Sequence, residues 1–323
     1  MTESNIAVRQ ADPAMLADVR SGLGRAQKEL SPKYFYDHRG SVLFEEITRL
    51  PEYYLTRTER ALLERWAPTL VADLGIRSLV ELGAGSAEKT RIILDAMQVA
   101  DRLATYVPID VSAAFLAETA RRLCADYPGL RVLPIAADIT NEVRLLPHAP
   151  PGPVLYALLG STIGNFYPPE AVRLARRVRD AMAPEDAFLL GVDLRKDVAA
   201  LEAAYNDRGG VTAEFNRNAL RVLNAELGAD FDPEAFDHRA FYDRATHRIE
   251  MHLVSRLAQD VAIPGIGRVG LARGESIRTE ISAKYDRASV AALFAAAGLR
   301  VADWRSDPYH ERFALAVGVV DRP

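Results

Sequence analysis

Residues 78–90 constrain the fold more than any other part of this chain. An apolar run over 78–82 leads through Gly83 and Gly85 into a helical pattern. Such a strand–turn–helix leaves bare backbone at the carboxyl end of a strand, where open α/β sheets bind nucleotide-like ligands. Glycine permits the close approach of a ligand because it has no Cβ atom. The segment therefore predicts an α/β sheet with a ligand site at this turn.

Near-continuous apolar runs alternate with helical patterns along the middle of the chain. Runs of this kind are typical of parallel strands whose sheet is covered by helices on both faces. We therefore expect a doubly wound α/β core. The predicted strands are 79–82, 106–110, 131–136, 154–159 and 187–193, and the predicted helices between them are 87–97, 112–126 and 169–182.

The alternation breaks after residue 196, which indicates an inserted segment. Helical patterns at 198–205 and 213–227 precede two segments, 248–257 and 276–284, that alternate like half-buried strands. Helix and strand patterns that suit the core return at 287–297, 299–304 and 313–320. The predicted domains are a core of residues 57–195 plus 285–323 and a second α+β domain of residues 1–56 plus 196–284.

Two local patterns give narrower expectations. Thr56 and Glu59 have the Thr-x-x-Glu spacing of a capping box, which predicts that a helix begins there. Cys124 lies in a helical pattern and is expected to be a free, buried thiol.

Composition excludes several classes of protein. The net charge of −4 opposes a nucleic-acid binder, which usually carries a basic surface. One cysteine excludes an intrachain disulfide and a multi-cysteine metal site, and the six histidines lack ligand-like spacing, so no metal is predicted. No apolar run is as long as a membrane span, and residues 1–5 do not resemble the start of a signal peptide. We expect a cytoplasmic protein.

The glycine turn itself indicates which ligand binds there. A dinucleotide fingerprint needs a third glycine beside the pyrophosphate, but Glu88 occupies that position. A ligand with an amino group and no phosphate suits this turn better, and S-adenosylmethionine (SAM) is one. Its amino acid end can lie along Gly83, with its carboxylate near Lys89. A nicotinamide cofactor or an empty turn are the alternatives.

Carboxylates at the ends of the next two strands support SAM. Asp110 ends the second strand and can accept hydrogen bonds from the ribose diol. Asp138 and Ile139 follow the third strand and suit the adenine amino group and ring. Each acid alone is weak evidence, since capping a helix is a commoner use of aspartate, but their succession at neighbouring strand ends favours a SAM site.

The fourth strand ends in small residues, 160–165, that leave room for the methyl acceptor. Asn165 can hold a carboxylate or an amide there. Its alternative role is that of a turn residue before Pro168.

Several short strings carry a resemblance to a known family. They are residues 35–37, 50–54 with 56–59, 81–85 with 88–90, 160–165, 215–218 and 248–251. Together they resemble the SAM-dependent histidine Nα-methyltransferases of ergothioneine biosynthesis, over almost the whole chain. The resemblance implies a class I SAM-methyltransferase fold, a Rossmann-like doubly wound sheet, with a second α+β substrate-binding domain. It also implies transfer of three methyl groups to the α-amino group of L-histidine, giving hercynine.

The resemblance also implies roles for individual residues. Leu55 and Ile139 depart from the family pattern, which has proline and an aromatic residue at these positions. The implied histidine carboxylate ligands are Asn165 and Tyr205; the residues near the amino group are Tyr36, Phe44 and the Gly160 carbonyl; the imidazole contacts are Tyr53, Glu280, Ser282 and Met251; and the SAM contacts are Gly83, Lys89, Asp110, Asp138 and Ile139.

Alternation along the last predicted strand of the insertion agrees with part of this assignment. Glu280 and Ser282 are two residues apart, so they point to one face and together can orient an imidazole. Arg278 and Lys284 share that face, so a solvated polar face is the alternative. With the resemblance, Glu280 is the expected determinant of selectivity.

The chemistry leaves some roles open. Tyr36 can relay the proton that the amine loses, without being an essential base. Phe44 either faces the methylated nitrogen by a cation–π contact or packs in a core. The alternatives for the whole protein are a methyltransferase of another amino acid and a catalytically silent SAM-binding protein. A monomer is expected.

Overall fold

The computed structural model describes residues 12–139, 150–308 and 311–321. Residues 1–5, which were not expected to begin a signal peptide, lie outside these ranges. So do the histidines at 148 and 310. The chain divides into two compact units. Unit 1 comprises Met1–Ile47, Asn206–Phe241 and Glu250–Glu280, and unit 2 comprises Thr48–Tyr205, Tyr242–Ile249 and Ile281–Pro323.

The helices and strands are numbered in chain order. The α-helices are α1 (Pro13–Leu23), α2 (His38–Arg49), α3 (Leu55–Leu74), α4 (Thr90–Val99), α5 (Ala113–Asp126), α6 (Pro168–Ala181), α7 (Val198–Ala203), α8 (Val211–Leu227) and α9 (Arg287–Ala297). The strands are β1 (Lys28–Glu29), β2 (Ser78–Leu82), β3 (Thr105–Asp110), β4 (Arg131–Val132), β5 (Ile135–Ala136), β6 (Val154–Leu158), β7 (Ala187–Asp193), β8 (Phe236–Asp243), β9 (Arg248–Ser255), β10 (Gln259–Ile263), β11 (Gly267–Leu271), β12 (Ser276–Ala283), β13 (Leu299–Ser306) and β14 (Phe313–Val320). Short 3-10 turns lie at Pro32–Phe35, Thr162–Asn165 and Pro233–Ala235.

The large sheet of unit 2 has the order β13-β14-β7-β6-β2-β3-β4, and β5 also pairs with β3. β3, β2, β6 and β7 are parallel, whereas β14 runs antiparallel to both of its neighbours. β2 lies between β3 and β6, so the direction in which the chain crosses the sheet reverses there. Open α/β sheets bind ligands at this kind of switch point, beyond the carboxyl ends of the strands. The predicted doubly wound α/β sheet is confirmed.

Burial explains why the strands of this sheet read as apolar runs. Every residue of β2, β6 and β7 is buried, as expected for parallel strands covered on both faces. One core cluster joins the sheet to α6 and α9. On α6, Ala171, Leu174, Ala175 and Val178 recur at helical spacing and are all buried in this cluster.

The other sheet, β1-β12-β9-β8, belongs mainly to unit 1. Unit 1 has its own hydrophobic core, to which α1, α8, β9 and the β10–β11 hairpin contribute. Strand β8 and the hairpin strands were not predicted from the sequence. Within the described residues, no helix is both long and apolar enough to cross a membrane.

Several predicted boundaries are wrong for local reasons. The strand expected over 131–136 is two short strands, because Pro134 between them has no amide hydrogen to donate. The helix expected from residue 87 begins at Thr90, since Ala87 adopts a positive φ of 57°. Cys124 is exposed on α5, so the expectation of a buried thiol is wrong.

The expected capping box is also wrong. α3 begins at Leu55, and its N-cap residue, Tyr54, makes no side-chain capping bond. Glu59 does not reach back to the start of the helix; its side chain is fully buried. The buried residues Leu55, Leu62 and Leu63 lie on the same face, at spacings of three and four from Glu59.

A buried carboxyl group lies in the middle of the sheet, on β2. Glu81 Oε2 accepts hydrogen bonds from Thr90 Oγ1 at 2.5 Å and from the Tyr106 hydroxyl at 2.6 Å. Burial raises the pKa of Glu81 to about 7, although both hydrogen bonds oppose the shift. A carboxyl group with a raised pKa favours its protonated form in the folded state.

We predict that this group makes unit 2 less stable as the pH rises. The pKa of Glu81 in the unfolded chain is near 4.5, so between there and about 7 only the unfolded state releases the proton. The free energy of unfolding, relative to that of Glu81→Gln, should fall by on the order of 2–3 kcal/mol across this range.

Urea unfolding of both proteins at pH 5 and pH 8 measures the change. Glu64→Gln, at an exposed position of α3, controls for the loss of one surface charge. A difference between wild type and Glu81→Gln that stays constant with pH contradicts the prediction.

Candidate active site

The glycine turn after β2 leaves open space at the switch point of the sheet. Gly83 and Gly85 have φ angles of 72° and 51°, which glycine adopts without strain. A Cβ atom built on either residue meets no other atom within 4 Å. The backbone of the turn is therefore accessible to a ligand.

Asp110, at the end of β3, is fixed beside this turn. Its Oδ2 accepts a hydrogen bond from the Gly85 amide at 3.0 Å, and its Oδ1 accepts one from the Ser112 amide at 3.0 Å. The carboxylate is only half-buried and retains lone pairs, so it can accept hydrogen bonds from a diol.

Asp138 and Ile139 follow β5, which runs parallel to β3 and pairs Ala136 with Asp110. Asp138 is half-buried and Ile139 is buried. The structure thus places the carboxylates of Asp110 and Asp138 after neighbouring strands, in the order that the sequence predicts.

Glu59 connects Lys89, which follows the glycine turn, to the end of β6. Its fully buried carboxylate forms an ion pair with Lys89 and accepts the Gly160 amide at 2.8 and 2.9 Å. A Cβ atom on Gly191 would lie 2.1 Å from Glu59 Oε1, so any larger residue there would displace the carboxylate. This role of Glu59 was not predicted from the sequence, although its helical spacing with apolar leucines was a signal for burial.

The loop after β6 is held in place at both ends. Ser161, in a left-handed conformation, accepts the Asp193 amide on its Oγ at 2.9 Å. A Cβ atom on Gly164 would lie 2.8 Å from the Ala283 carbonyl oxygen, so the 3-10 turn packs directly on the end of β12. The side-chain amide of Asn165, half-buried, forms no hydrogen bond with any residue that the structure describes.

Arg57 fixes the loop that carries Tyr53. Its guanidinium donates to the carbonyl oxygens of Leu50 at 2.6 Å, Pro51 at 2.8 Å and Tyr53 at 3.2 Å. The Tyr53 ring meets the Tyr205 ring edge-on, with centroids 6.3 Å apart. The string at residues 50–57 therefore builds a rigid platform for Tyr53.

Tyr205 and Ser282 belong to a buried polar cluster. The Tyr205 hydroxyl donates to Ser282 Oγ at 2.9 Å, and Lys284 Nζ lies 3.0 Å from the former and 2.9 Å from the latter. Lys284 also forms an ion pair with Asp193 at 2.8 Å. The Lys284 side chain is fully buried, so a solvated face does not describe this residue.

A second lysine completes this cluster. Lys196 forms an ion pair with Asp193 and donates to the Tyr54 hydroxyl at 2.7 Å. Burial lowers the pKa of Lys196 to about 8, although Asp193 opposes the shift. Burial and the neighbouring Asp193 carboxylate raise the pKa of Tyr54 far above its usual value, so its hydroxyl stays protonated and donates to Asp193.

Unit 1 contains an aromatic cluster around Tyr36 and Phe44. Their ring centroids are 5.8 Å apart, and the Phe215 ring lies 5.6 Å from Tyr36 and 5.9 Å from Phe44. Phe215 lies in one of the strings that carry the family resemblance, but no role for it was predicted from the sequence. Phe215 is buried, whereas Tyr36 and Phe44 are half-buried and keep ring surface that a cation can approach.

The two asparagines that follow Phe215 organise unit 1. Asn218 donates to the carbonyl oxygen of Phe35 at 3.1 Å and to Asp37 Oδ1 at 2.8 Å, which fixes the backbone on either side of Tyr36. The buried Asn216 accepts a hydrogen bond from Thr279, the neighbour of Glu280 on β12.

The predicted site residues divide between the two units. Those of unit 1 are Tyr36, Phe44, Met251 and Glu280, and those of unit 2 are Tyr53, Gly83, Lys89, Asp110, Asp138, Ile139, Gly160, Asn165, Tyr205 and Ser282. Met251 is buried on β9, whose neighbour β12 carries Glu280. Among the described residues, no three His, Cys, Asp or Glu side chains are grouped so that they could hold a metal ion.

Comparison with known proteins identifies the family. Residues 15–318 match the family model described as histidine-specific methyltransferase, SAM-dependent. The chain is 44% identical over 315 residues to a histidine N-alpha-methyltransferase of Mycolicibacterium smegmatis, covering 97% of each protein. It is 28% identical over 304 residues to ergothioneine biosynthesis protein 1 of Neurospora crassa, covering 86% of this chain and 32% of that protein.

A solved structure supports the fold. A SAM-dependent methyltransferase of Clostridium acetobutylicum superposes with a TM-score of 0.51 at 10% identity, covering 86% of this chain and 98% of that one. The doubly wound sheet is therefore the class I methyltransferase fold. With the family model matching nearly the whole chain, the protein belongs to the histidine-specific, SAM-dependent methyltransferases.

Proposed function

We propose that the protein transfers three methyl groups from SAM to the α-amino group of L-histidine, giving hercynine, as a step of ergothioneine biosynthesis. The observation that carries this proposal is the match of residues 15–318 to a histidine-specific methyltransferase family. The 44% identity to a histidine N-alpha-methyltransferase supports the substrate. We further propose that the enzyme is a cytoplasmic monomer.

The proposed division of labour follows the predicted domains. Residues 57–195 plus 285–323 form the methyl-transfer core, and residues 1–56 plus 196–284 bind the substrate. The open glycine turn at the switch point of the unit 2 sheet supports the first assignment.

Two of the proposed cofactor contacts, Asp110 and Lys89, are fixed in position by hydrogen bonds or an ion pair with other residues of unit 2. The backbone at Gly83 receives the amino acid end of SAM, Asp110 accepts the ribose hydroxyls, and Asp138 and Ile139 hold the adenine. Lys89 faces the cofactor carboxylate from its ion pair with Glu59. Two backbone amides orient Asp110 before any ligand binds, which supports its role.

The proposed histidine contacts divide by chemistry. Asn165 and Tyr205 hold the α-carboxylate, and the unengaged amide of Asn165 supports this role. Tyr53, Glu280 and Ser282 hold the imidazole, with Met251 beside the ring. A carboxylate on Glu280 accepts an imidazole N–H, which distinguishes histidine from amino acids with apolar side chains.

The protein's contribution to catalysis is mainly to position the amine. SAM supplies an already activated methyl group, so alignment of the acceptor nitrogen is the remaining requirement. Tyr36 and the Gly160 carbonyl orient the amino group, and Tyr36 relays the proton that the amine loses. The rings of Tyr36 and Phe44 face the positive charge that grows on the nitrogen as methyl groups accumulate.

Incubation with methyl-labelled SAM and a panel of amino acids tests this function. We expect label in histidine alone, and a product whose mass corresponds to three added methyl groups. Label in another amino acid assigns a different substrate to the same fold. No label in any amino acid indicates a SAM-binding protein without this activity.

Asp110→Ala is predicted to weaken SAM binding at least tenfold. The change removes the proposed ribose acceptor and leaves the amides of Gly85 and Ser112 without their partner. Tenfold corresponds to about 1.4 kcal/mol. Calorimetric titration with SAM measures the dissociation constant, and Asp73→Asn, exposed on α3, is the control. An unchanged constant removes Asp110 from the cofactor site.

Glu280→Gln is predicted to lower kcat/KM for histidine at least tenfold, without changing SAM affinity. An imidazole N–H that loses its charged acceptor costs on the order of 1–3 kcal/mol. Steady-state kinetics measure the effect. Glu275→Gln, which lies just before β12 and pairs with Lys28, is the matched control. Wild-type kinetics in Glu280→Gln exclude this residue from substrate recognition.

A further inference from the structure

Lys284 is a buried cation to which none of the roles above has been assigned. Its ammonium group lies within hydrogen-bond distance of Asp193 Oδ2 at 2.8 Å, Ser282 Oγ at 2.9 Å and the Tyr205 hydroxyl at 3.0 Å. An ammonium group has three hydrogens to donate, and these partners use all of them. The side chain is therefore held in one position.

The cluster contains more positive than negative charge. Asp193 is the one carboxylate that pairs with both Lys284 and Lys196 among the residues that the structure describes. The Asp193 side chain is fully buried and that of Lys196 nearly so. Coulomb interactions are stronger in such surroundings than in water, so the surplus charge favours a bound anion.

The direction of the hydrogen bonds indicates where that anion binds. Because an ammonium group can only donate, Tyr205 and Ser282 both accept from Lys284. These two hydroxyls lie 2.9 Å apart, and Tyr205 donates its one hydrogen to Ser282 Oγ. The hydrogen of Ser282 is the second one; when the Ser282 hydroxyl rotates to donate to Tyr205, the Tyr205 hydrogen is released for a third group.

We propose that Lys284 is a positioning residue that makes the enzyme select a free α-carboxylate on its substrate. Lys284 fixes and polarises the Tyr205 hydroxyl, which donates to the carboxylate, and the surplus charge of the cluster attracts the anion. The preferred ligand class is an α-amino acid; its carboxamide is disfavoured. This inference rests on the proposed function, because it takes Tyr205 as a carboxylate ligand.

The test compares histidine with L-histidinamide, in which an uncharged amide replaces the carboxylate. Dissociation constants of both are measured by calorimetry in the presence of S-adenosylhomocysteine, and kinetics are measured with histidine. In Lys284→Gln we expect histidine to bind at least tenfold more weakly, with KM affected more than kcat. Histidinamide should change less than threefold.

Lys196→Gln is the matched control, because it removes a cation from the same carboxylate without the contacts to Tyr205 and Ser282. Lys196→Gln removes an equal charge, so it should lower histidine preference in part, but less than Lys284→Gln, which also loses the contact with Tyr205. An equal effect of both variants, or an equal loss of both ligands in Lys284→Gln, overturns the proposal.

Two further variants distinguish loss of the contact between Lys284 and Tyr205 from a general loss of folding. Lys284→Gln in a Tyr205→Phe background should add little to the loss of histidine binding, whereas additive losses contradict action through Tyr205. Where Lys284→Gln does not fold, Asp193→Asn/Lys284→Gln removes both members of the ion pair and leaves the net charge unchanged. The same loss of histidine preference is expected there, and wild-type preference overturns the proposal.

SAM affinity is the check that each variant is folded. Failure of the proposed function has a different signature, since wild-type enzyme then adds no methyl group to histidine. Failure of the Lys284 proposal leaves that activity intact, with the histidine-to-histidinamide ratio unmoved in Lys284→Gln.

Discussion

The buried carboxylate of Glu59 is the interaction on which the site of unit 2 depends. It reaches from α3 to Lys89, after the glycine turn, and to the amide of Gly160, after β6. Burial of an ionised carboxylate costs free energy unless hydrogen bonds and a cation compensate it. Lys89 and the Gly160 amide do so here, and the space at Gly191 admits the side chain. The two loops at the switch point are thereby tied to one group.

Asp193, on the other side of the loop 160–165, is a second buried carboxylate that pairs with lysine. Glu59 holds the amide of Gly160, whereas the Asp193 amide donates to the hydroxyl of Ser161. Each carboxylate pairs with lysine, Lys89 in one case and Lys284 in the other. The loop 160–165 is therefore held at Gly160 by the Glu59 carboxylate and at Ser161 by the backbone amide of Asp193.

The sheet could be predicted from sequence because its signal is local. Apolar runs such as β6 and β7 are buried on both faces, and their composition alone shows it. The network around Glu59 could not be predicted from the sequence. The Thr-x-x-Glu spacing is also a local signal, and it predicted that Glu59 caps its own helix instead of contacting Lys89 and Gly160. Lys284 illustrates the same limit: alternation placed it on the correct face, but only tertiary contacts show that this face is buried.

The strings that carry the family resemblance contain many residues that hold others in place. Arg57 binds the carbonyl oxygens around Tyr53, and Asn218 binds the backbone around Tyr36. These contacts build a rigid site without touching the substrate in the proposed scheme. In that scheme the choice of substrate depends on few side chains, above all the proposed contacts Glu280, Tyr205 and Ser282. A relative that acts on another amino acid can therefore retain most of these strings and differ at those positions.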